Sequence, residues 1–174
     1  MSLISSLTSV IRILGLDPGL RNTGWGVIDI QGNHLKYVAH GVVKSDAKLD
    51  LASRLQQLYT GLEKVISTHN PQEAAVEETF VNANPASALK LGMARGVVLL
   101  APAMVNLGVG EYSANKVKKS VVGAGHADKK QVALMVQRLL TGCGNVTQDA
   151  ADALAIAICH AHHRQMRSLL TLPK

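Results

Sequence analysis

The order of elements along the 174 residues predicts an α/β fold, a five-stranded mixed sheet flanked by helices. Three observations carry this reading. The chain opens with three β-rich runs joined by short turns, then alternates helix, strand, helix, strand, and closes on helices rich in alanine. A three-stranded meander followed by right-handed crossovers gives a sheet of mixed direction. The carboxyl ends of its strands are where a site is expected.

IRILGLDPG (11–19) is a short apolar run closed by Pro-Gly, and GWGVIDI (24–30) is a second. Gln31-Gly32-Asn33 then turns the chain into HLKYVAHGVVK, the third strand. Asp50 caps a helix whose Leu51, Leu55, Leu58, Leu62 and Val65 recur at helical spacing, ending near His69-Asn70-Pro71. EAAVEETF (73–80) reads as a buried strand. Asn84 then supplies an N-cap and Pro85 the first position of an alanine- and leucine-rich helix running towards Asn106. VGEY (109–112) is a short strand, Ser113 caps a brief basic helix, and Asp128 with Gln131 forms a capping-box start to the next. The final helix begins near Thr147 and carries DAADALAIAICHAHH. Residues 1–10 read as an extension, 11–165 as one folded domain and 166–174 as a tail, with no repeat or linker between.

Hydrophobic residues make up 47% of the chain but aromatics only 3%, so the core is expected to be aliphatic and alanine-rich. Lysine and arginine number 18 against 12 acidic residues, an excess that favours a polyanionic partner through counterion release. Cys143 and Cys159 lie far apart, without zinc-site spacing or a disulfide framework, which fits a reduced, cytoplasmic compartment. The first ten residues lack the features of a secretory signal. No run of about 18 uninterrupted apolar residues suggests a membrane partner.

The chemistry lies in four carboxylates. Asp17 falls where the first strand ends, and Gly19 lets the backbone turn away beyond it. Glu77 sits inside the apolar strand AAVEETF, where an unpaired charge is expensive to bury. Asp149 and Asp152 are three residues apart and so share one helical face, among alanines that mark that face as packed. Acids converging in this way repel one another, and one or two divalent metals with oxygen ligands, magnesium first, resolve the repulsion. Such ions activate water for in-line displacement at phosphorus. Taken singly, each acid also has a structural reading: Asp17 as a turn former before proline, Asp149 as a partner for helix amides, Glu77 as the mate of a lysine.

The segments LGLDPGLRNTGWGV, AVEETFVNANPASALKLGMARG, EYSANKVKKSVVGAGHADKKQV and DAADALAIAICH together resemble the RuvC family of Holliday-junction resolvases, in the RNase H-like superfamily. The resemblance runs from about residue 11 to 163. It implies an RNase H-like nuclease domain over 11–165 that acts as a homodimer. The expected reaction is metal-dependent cutting of a four-way DNA junction at two strands of like polarity, in recombination and repair. Asp17, Glu77, Asp149 and Asp152 match the family's catalytic, metal-binding tetrad, which implies Mg2+, two ions per site, with Mn2+ able to substitute. The family register selects Glu77 over Glu78, whose side chain points to the other face of the strand.

Lys118 and Lys129 match family lysines that hold DNA phosphate, their alternative being solvated helix lysines. Phe80, the one phenylalanine, matches an aromatic that wedges into the junction centre, its alternative being a half-buried core residue. The resemblance also implies the RuvAB branch-migration complex as a partner. Arg95 and its small-residue helix suit a dimer interface or tight internal packing. His160, His162 and His163 read as partly exposed residues near a helix end. DPGLRNTGWGV is similar as well to the phosphate loop of actin-like ATPases, which require a second such loop that the chain lacks. A nuclease of the same fold acting on hybrids or single strands and a catalytically silent DNA-binding module are the remaining alternatives.

Overall fold

The computed structural model describes residues 9–78 and 84–170, with side chains as far as Arg164. Among them, β1 (Ile11–Asp17), β2 (Asn22–Gln31), β3 (His34–Lys44), β4 (Glu73–Glu78) and β5 (Gly108–Ser113) form one sheet in the order β3-β2-β1-β4-β5. The first three strands are an antiparallel meander, and β4 runs parallel to both β1 and β5. Helices α1 (Leu51–His69), α2 (Pro85–Met104), α3 (Ala114–Val122), α4 (Lys129–Leu139) and α5 (Gln148–Leu170) complete the described fold. The mixed five-stranded sheet flanked by helices is the architecture expected.

The local signals act as the sequence indicates. Asp50 accepts from the Ser53 amide at the start of α1, and Asn70 ends that helix in the left-handed conformation (φ 47°). Asn84 caps α2 ahead of Pro85, Ser113 caps α3, and Asp128 and Gln131 exchange both capping-box bonds at α4. A cross-strand pair locks the meander to α1: Arg12 donates to both Asp29 oxygens at 2.8 and 2.9 Å and to the His69 carbonyl at 3.0 Å.

Strand alternation divides the interior into two cores. Leu14, Leu16, Ala74 and Val76 face Leu62, Ile66, Val98 and Ala101 of α1 and α2. Ile13, Ile28, Ile30 and Ala75 face the other way, onto α3, α4 and α5. Leu58 and Leu62 are fully buried, and such a leucine contributes roughly 1.5 to 3 kcal/mol by leaving water.

α5 approaches the sheet more closely than ordinary side chains permit. A methyl group on Gly15 would stand 2.1 Å from the Ala153 carbonyl oxygen. On Gly24 it would stand 2.0 Å from that of Asp149, and on Gly26 it would stand 2.6 Å from Leu154 Cδ2. Gly15 and Gly26 are cross-strand partners, and Gly24 is the partner of Asp17, so together they form a bare shelf beside the first acid. The helix answers with Ala150, Ala153 and Ala157, all fully buried. This explains a helix that is alanine-rich without being exposed.

α5 also continues to Leu170, into the stretch read as a tail from residue 166. The three histidines are partly exposed, as expected, but stand within the helix and not at its end, and each is engaged. His160 Nε2 lies 2.9 Å from Glu73 Oε2 and its Nδ1 2.9 Å from Tyr112 Oη. His162 meets Ser120 Oγ at 3.0 Å, and His163 meets the Cys159 carbonyl at 2.8 Å. Arg164 adds a 2.7 Å bond to Glu73. The hydrogen bond from His160, reinforced by Arg164, holds the Glu73 carboxyl below its ordinary range.

One consequence is measurable. Gly15→Ala should destabilise the protein by about 1 to 3 kcal/mol or more in chemical denaturation, the range for overpacking a tight contact. Gly108→Ala, where an added methyl meets nothing within 4 Å, should stay close to the parent. Equal stability of both variants would remove the close seat of α5.

Candidate active site

The same alternation that builds the cores delivers the acids. Asp17 ends β1 on the face of Ile13 and Gly15, and Glu77 follows Ala75 by two positions on that face of β4. The β1–β4 ladder ends at Leu16–Val76, so the two acids stand side by side one step beyond it. Glu78, pointing the other way, does not line the cavity. α5 lies over this face and brings Asp152 to the same place. The resulting cavity, about 190 Å3, is lined by Asp17, Glu77, Asp152, Lys118 and Lys129, with Val117, Val132 and Ala155 as its apolar floor.

Asp149 stands at the edge, in the first turn of α5, its carboxylate taking a 3.3 Å bond from Asn22 Nδ2. Its charge still reaches Asp17. Lys129, the first residue of α4, places Nζ 3.4 Å from Asp152 Oδ2, and Gln148 Nε2 donates to Asp152 Oδ1 at 3.0 Å. Phe80, the remaining expected DNA contact, lies outside the described residues.

The electrostatics follow from this crowding. Burial, then the charges of Glu77, Asp152 and Asp149, push the Asp17 carboxyl up to about 8 against the pull of Lys129. Glu77 is also raised, by burial first and by Asp152, while a hydrogen bond with Asp17 and the charges of Lys129 and Lys118 work against the rise. Lys129 is raised in turn, chiefly by Asp152. The cluster carries more negative charge than its own lysines neutralise.

An all-oxygen donor set with uncompensated charge fits a hard divalent cation. As the side chains stand, no three acidic, histidine or cysteine groups among the described residues close around a single point. Asp17 and Glu77 are engaged with each other, and Asp152 with Lys129 and Gln148. Ligation calls for these carboxylates to exchange their present partners for the ion.

A mixed sheet in this order, with acids supplied by its first and fourth strands and by a closing helix, defines an RNase H-like nuclease domain. The chain belongs to the crossover junction endodeoxyribonuclease RuvC family, whose model matches residues 13–160. It is 66% identical over 154 residues to the crossover junction endodeoxyribonuclease RuvC of Paramagnetospirillum magneticum, covering 88% of this chain and 93% of that one. Among solved structures it is similar to Thermus thermophilus RuvC in complex with Holliday junction substrate, with TM-score 0.84, 32% identity, and coverage of 91% and 97%. The yeast mitochondrial Holliday junction resolvase Ydc2 shares the fold at TM-score 0.63 and 14% identity, over 92% and 84% of the two chains.

Sequence reasoning missed the groups that hold the acids. Asn22 and Gln148 bond Asp149 and Asp152, and the Arg95 guanidinium bonds the Glu77 carbonyl at 3.2 Å. Gln148 had a signal, being four residues before Asp152 on one helix. The other two are long-range contacts with none.

The raised Asp17 carboxyl gives a signed pH dependence. Without divalent ions the folded state binds this proton more tightly than the unfolded one, so the contribution is full below about 4 and is lost as pH rises through about 8. Thermal melts in chelator should show Asp17→Asn losing less stability than the parent between those pH values. Parallel profiles would contradict the raised carboxyl.

Proposed function

We propose that this protein resolves four-way DNA junctions as a homodimer, cutting two strands symmetrically with Mg2+ at two ions per site and Mn2+ able to substitute. The observation that carries the reading is the meeting of Asp17, Glu77, Asp152, Lys118 and Lys129 in one cavity, with Asp149 at its edge. The junction named with the Thermus thermophilus relative supports the choice of substrate.

Asp17, Glu77, Asp149 and Asp152 are the ligands that would hold the metal. When bound, it lowers the pKa of an attacking water and stabilises charge at phosphorus. Burial and the neighbouring acids favour the protonated form of Asp17, and a bound cation would favour its ionised form. Lys118 borders the cavity from α3, and Lys129, 69% exposed, is free to leave Asp152 for a DNA phosphate. Phe80, three residues beyond Glu77, is the wedge that stacks at the junction centre.

α2 supports the dimer. It is long and apolar enough to cross a membrane by length and composition, yet only 22% of that stretch is buried. Leu89, Met93, Leu100 and Met104 leave an exposed apolar stripe along it, at spacing that keeps one helical face. A second copy of the chain would cover this stripe. The RuvAB branch-migration complex is the partner that membership of the family implies, and free, buried Cys143 and Cys159 accord with a cytoplasmic setting.

The deciding experiment offers an immobile four-way junction and a matched duplex, with magnesium or chelator. Paired nicks in the junction alone, only with metal, are expected. Asp17→Asn and Glu77→Gln should each lower cleavage by roughly a thousandfold, the scale of several kcal/mol of lost charge stabilisation, while junction binding persists. Lys129→Ala should also flatten the salt dependence of binding by about 0.9 in log–log slope. Near-parent cleavage by both acid variants would sink the mechanism, and equal cutting of duplex would sink the junction preference. Separately, Leu89→Glu with Met93→Glu should convert the protein to a folded monomer in sedimentation; a persistent dimer would remove α2 from the interface.

A further inference from the structure

Glu77 occupies an awkward place in the sheet. On the β1 side its strand has no ladder partner beyond Val76, so regular pairing reaches it only from β5, through Tyr112. A side chain that must meet three other acids is thus attached to main chain supported from one side.

Arg95 of α2 supplies the missing support. It approaches from the face opposite the acids, donates from Nε to the Glu77 carbonyl at 3.2 Å, and pairs through Nη2 with Glu111 of β5. Glu111 is the ladder partner of Val76, so the guanidinium spans two adjacent positions of the β4–β5 pair. Planar and forked, it makes the two contacts from separate nitrogens held in fixed geometry, which the single ammonium of a lysine does not offer. Its side chain is only 23% exposed, which limits competition from water.

We propose that Arg95 is a positioning residue that fixes Glu77 in the carboxylate cluster from behind, with Glu111 as its anchor. The proposal rests on the reading of Glu77 as a metal ligand. It adds a dependence: the place of Glu77 is set by α2, the helix whose apolar stripe forms the proposed dimer face. Arg95 reaches from α2 to the sheet, so the proposed role is carried by its contacts within one copy of the chain.

The test compares Arg95→Gln, Glu111→Gln, the double variant and Glu77→Gln as full-length protein. Junction cleavage, junction affinity, sedimentation and the stabilisation of the protein by added Mg2+ or Mn2+ would be measured on each. Arg95→Gln and Glu111→Gln should each lose cleavage by roughly ten- to a hundredfold, the cost of a small misplacement at a reacting centre. Both should need more metal for half-maximal thermal stabilisation, bind the junction within about twofold of the parent and remain dimeric. The double variant should be no worse than Arg95→Gln alone, because the two side chains act through one link.

Parent-like cleavage and metal response in Arg95→Gln, with Glu77→Gln inactive, would overturn the positioning role while leaving the site intact. An active Glu77→Gln would instead defeat the reading beneath it. If Arg95→Gln misfolds, the surface variant Glu111→Gln decides, since Glu111 is 46% exposed and its loss opens no core. Parent-like behaviour of that variant would reject the anchor.

Discussion

The close seat of α5 on the sheet is the constraint on which the site depends. Asp149 and Asp152 belong to a helix, Asp17 and Glu77 to strands, and the acids can meet only if helix and sheet lie nearer than leucine-sized side chains allow. Gly15, Gly24 and Gly26 give up their side chains for that approach, and the buried alanines of α5 match them. The shelf beside Asp17 therefore sets how near α5 can bring its acids to the strands.

Bringing the acids together has an electrostatic cost that the fold offsets only in part. Lys129 lies against Asp152 and Lys118 lines the same cavity, and burial first, then the remaining repulsion, raises the Asp17 carboxyl to about 8. The capping of α3 and α4 fixes the backbone from which those lysines reach. Lys129 opens α4 and Lys118 lies in the second turn of α3, and both line the cavity that holds Asp17, Glu77 and Asp152.

Much of this was legible because it is written in local signals. Caps at Asp50, Asn84, Ser113 and Asp128 set helix starts, and period-two alternation put Glu77 and Glu78 on opposite faces, with the family resemblance choosing between them. The spacing of Asp149 and Asp152 put both on one face. What sequence could not supply were contacts closed by tertiary structure. Arg95 bonds the Glu77 carbonyl, and His160 and His162 find Glu73, Tyr112 and Ser120 on other elements. Such pairs are distant along the chain and obey no period.

The clamp of His160, Tyr112, Glu73 and Arg164 gives α5 a second fixing point, far along the helix from Asp149 and Asp152. Held by backbone contact at one end and by paired charges at the other, the helix behaves as the fixed jaw of a vice. The opposing jaw is made of α3 and α4, each short and each anchored by a pair of buried valines, Val117 with Val121 and Val132 with Val136. Compliance is greatest where fewest apolar contacts hold an element. Accommodation to a bent or branched backbone thus falls to the lysine-bearing side, while the acids keep their register.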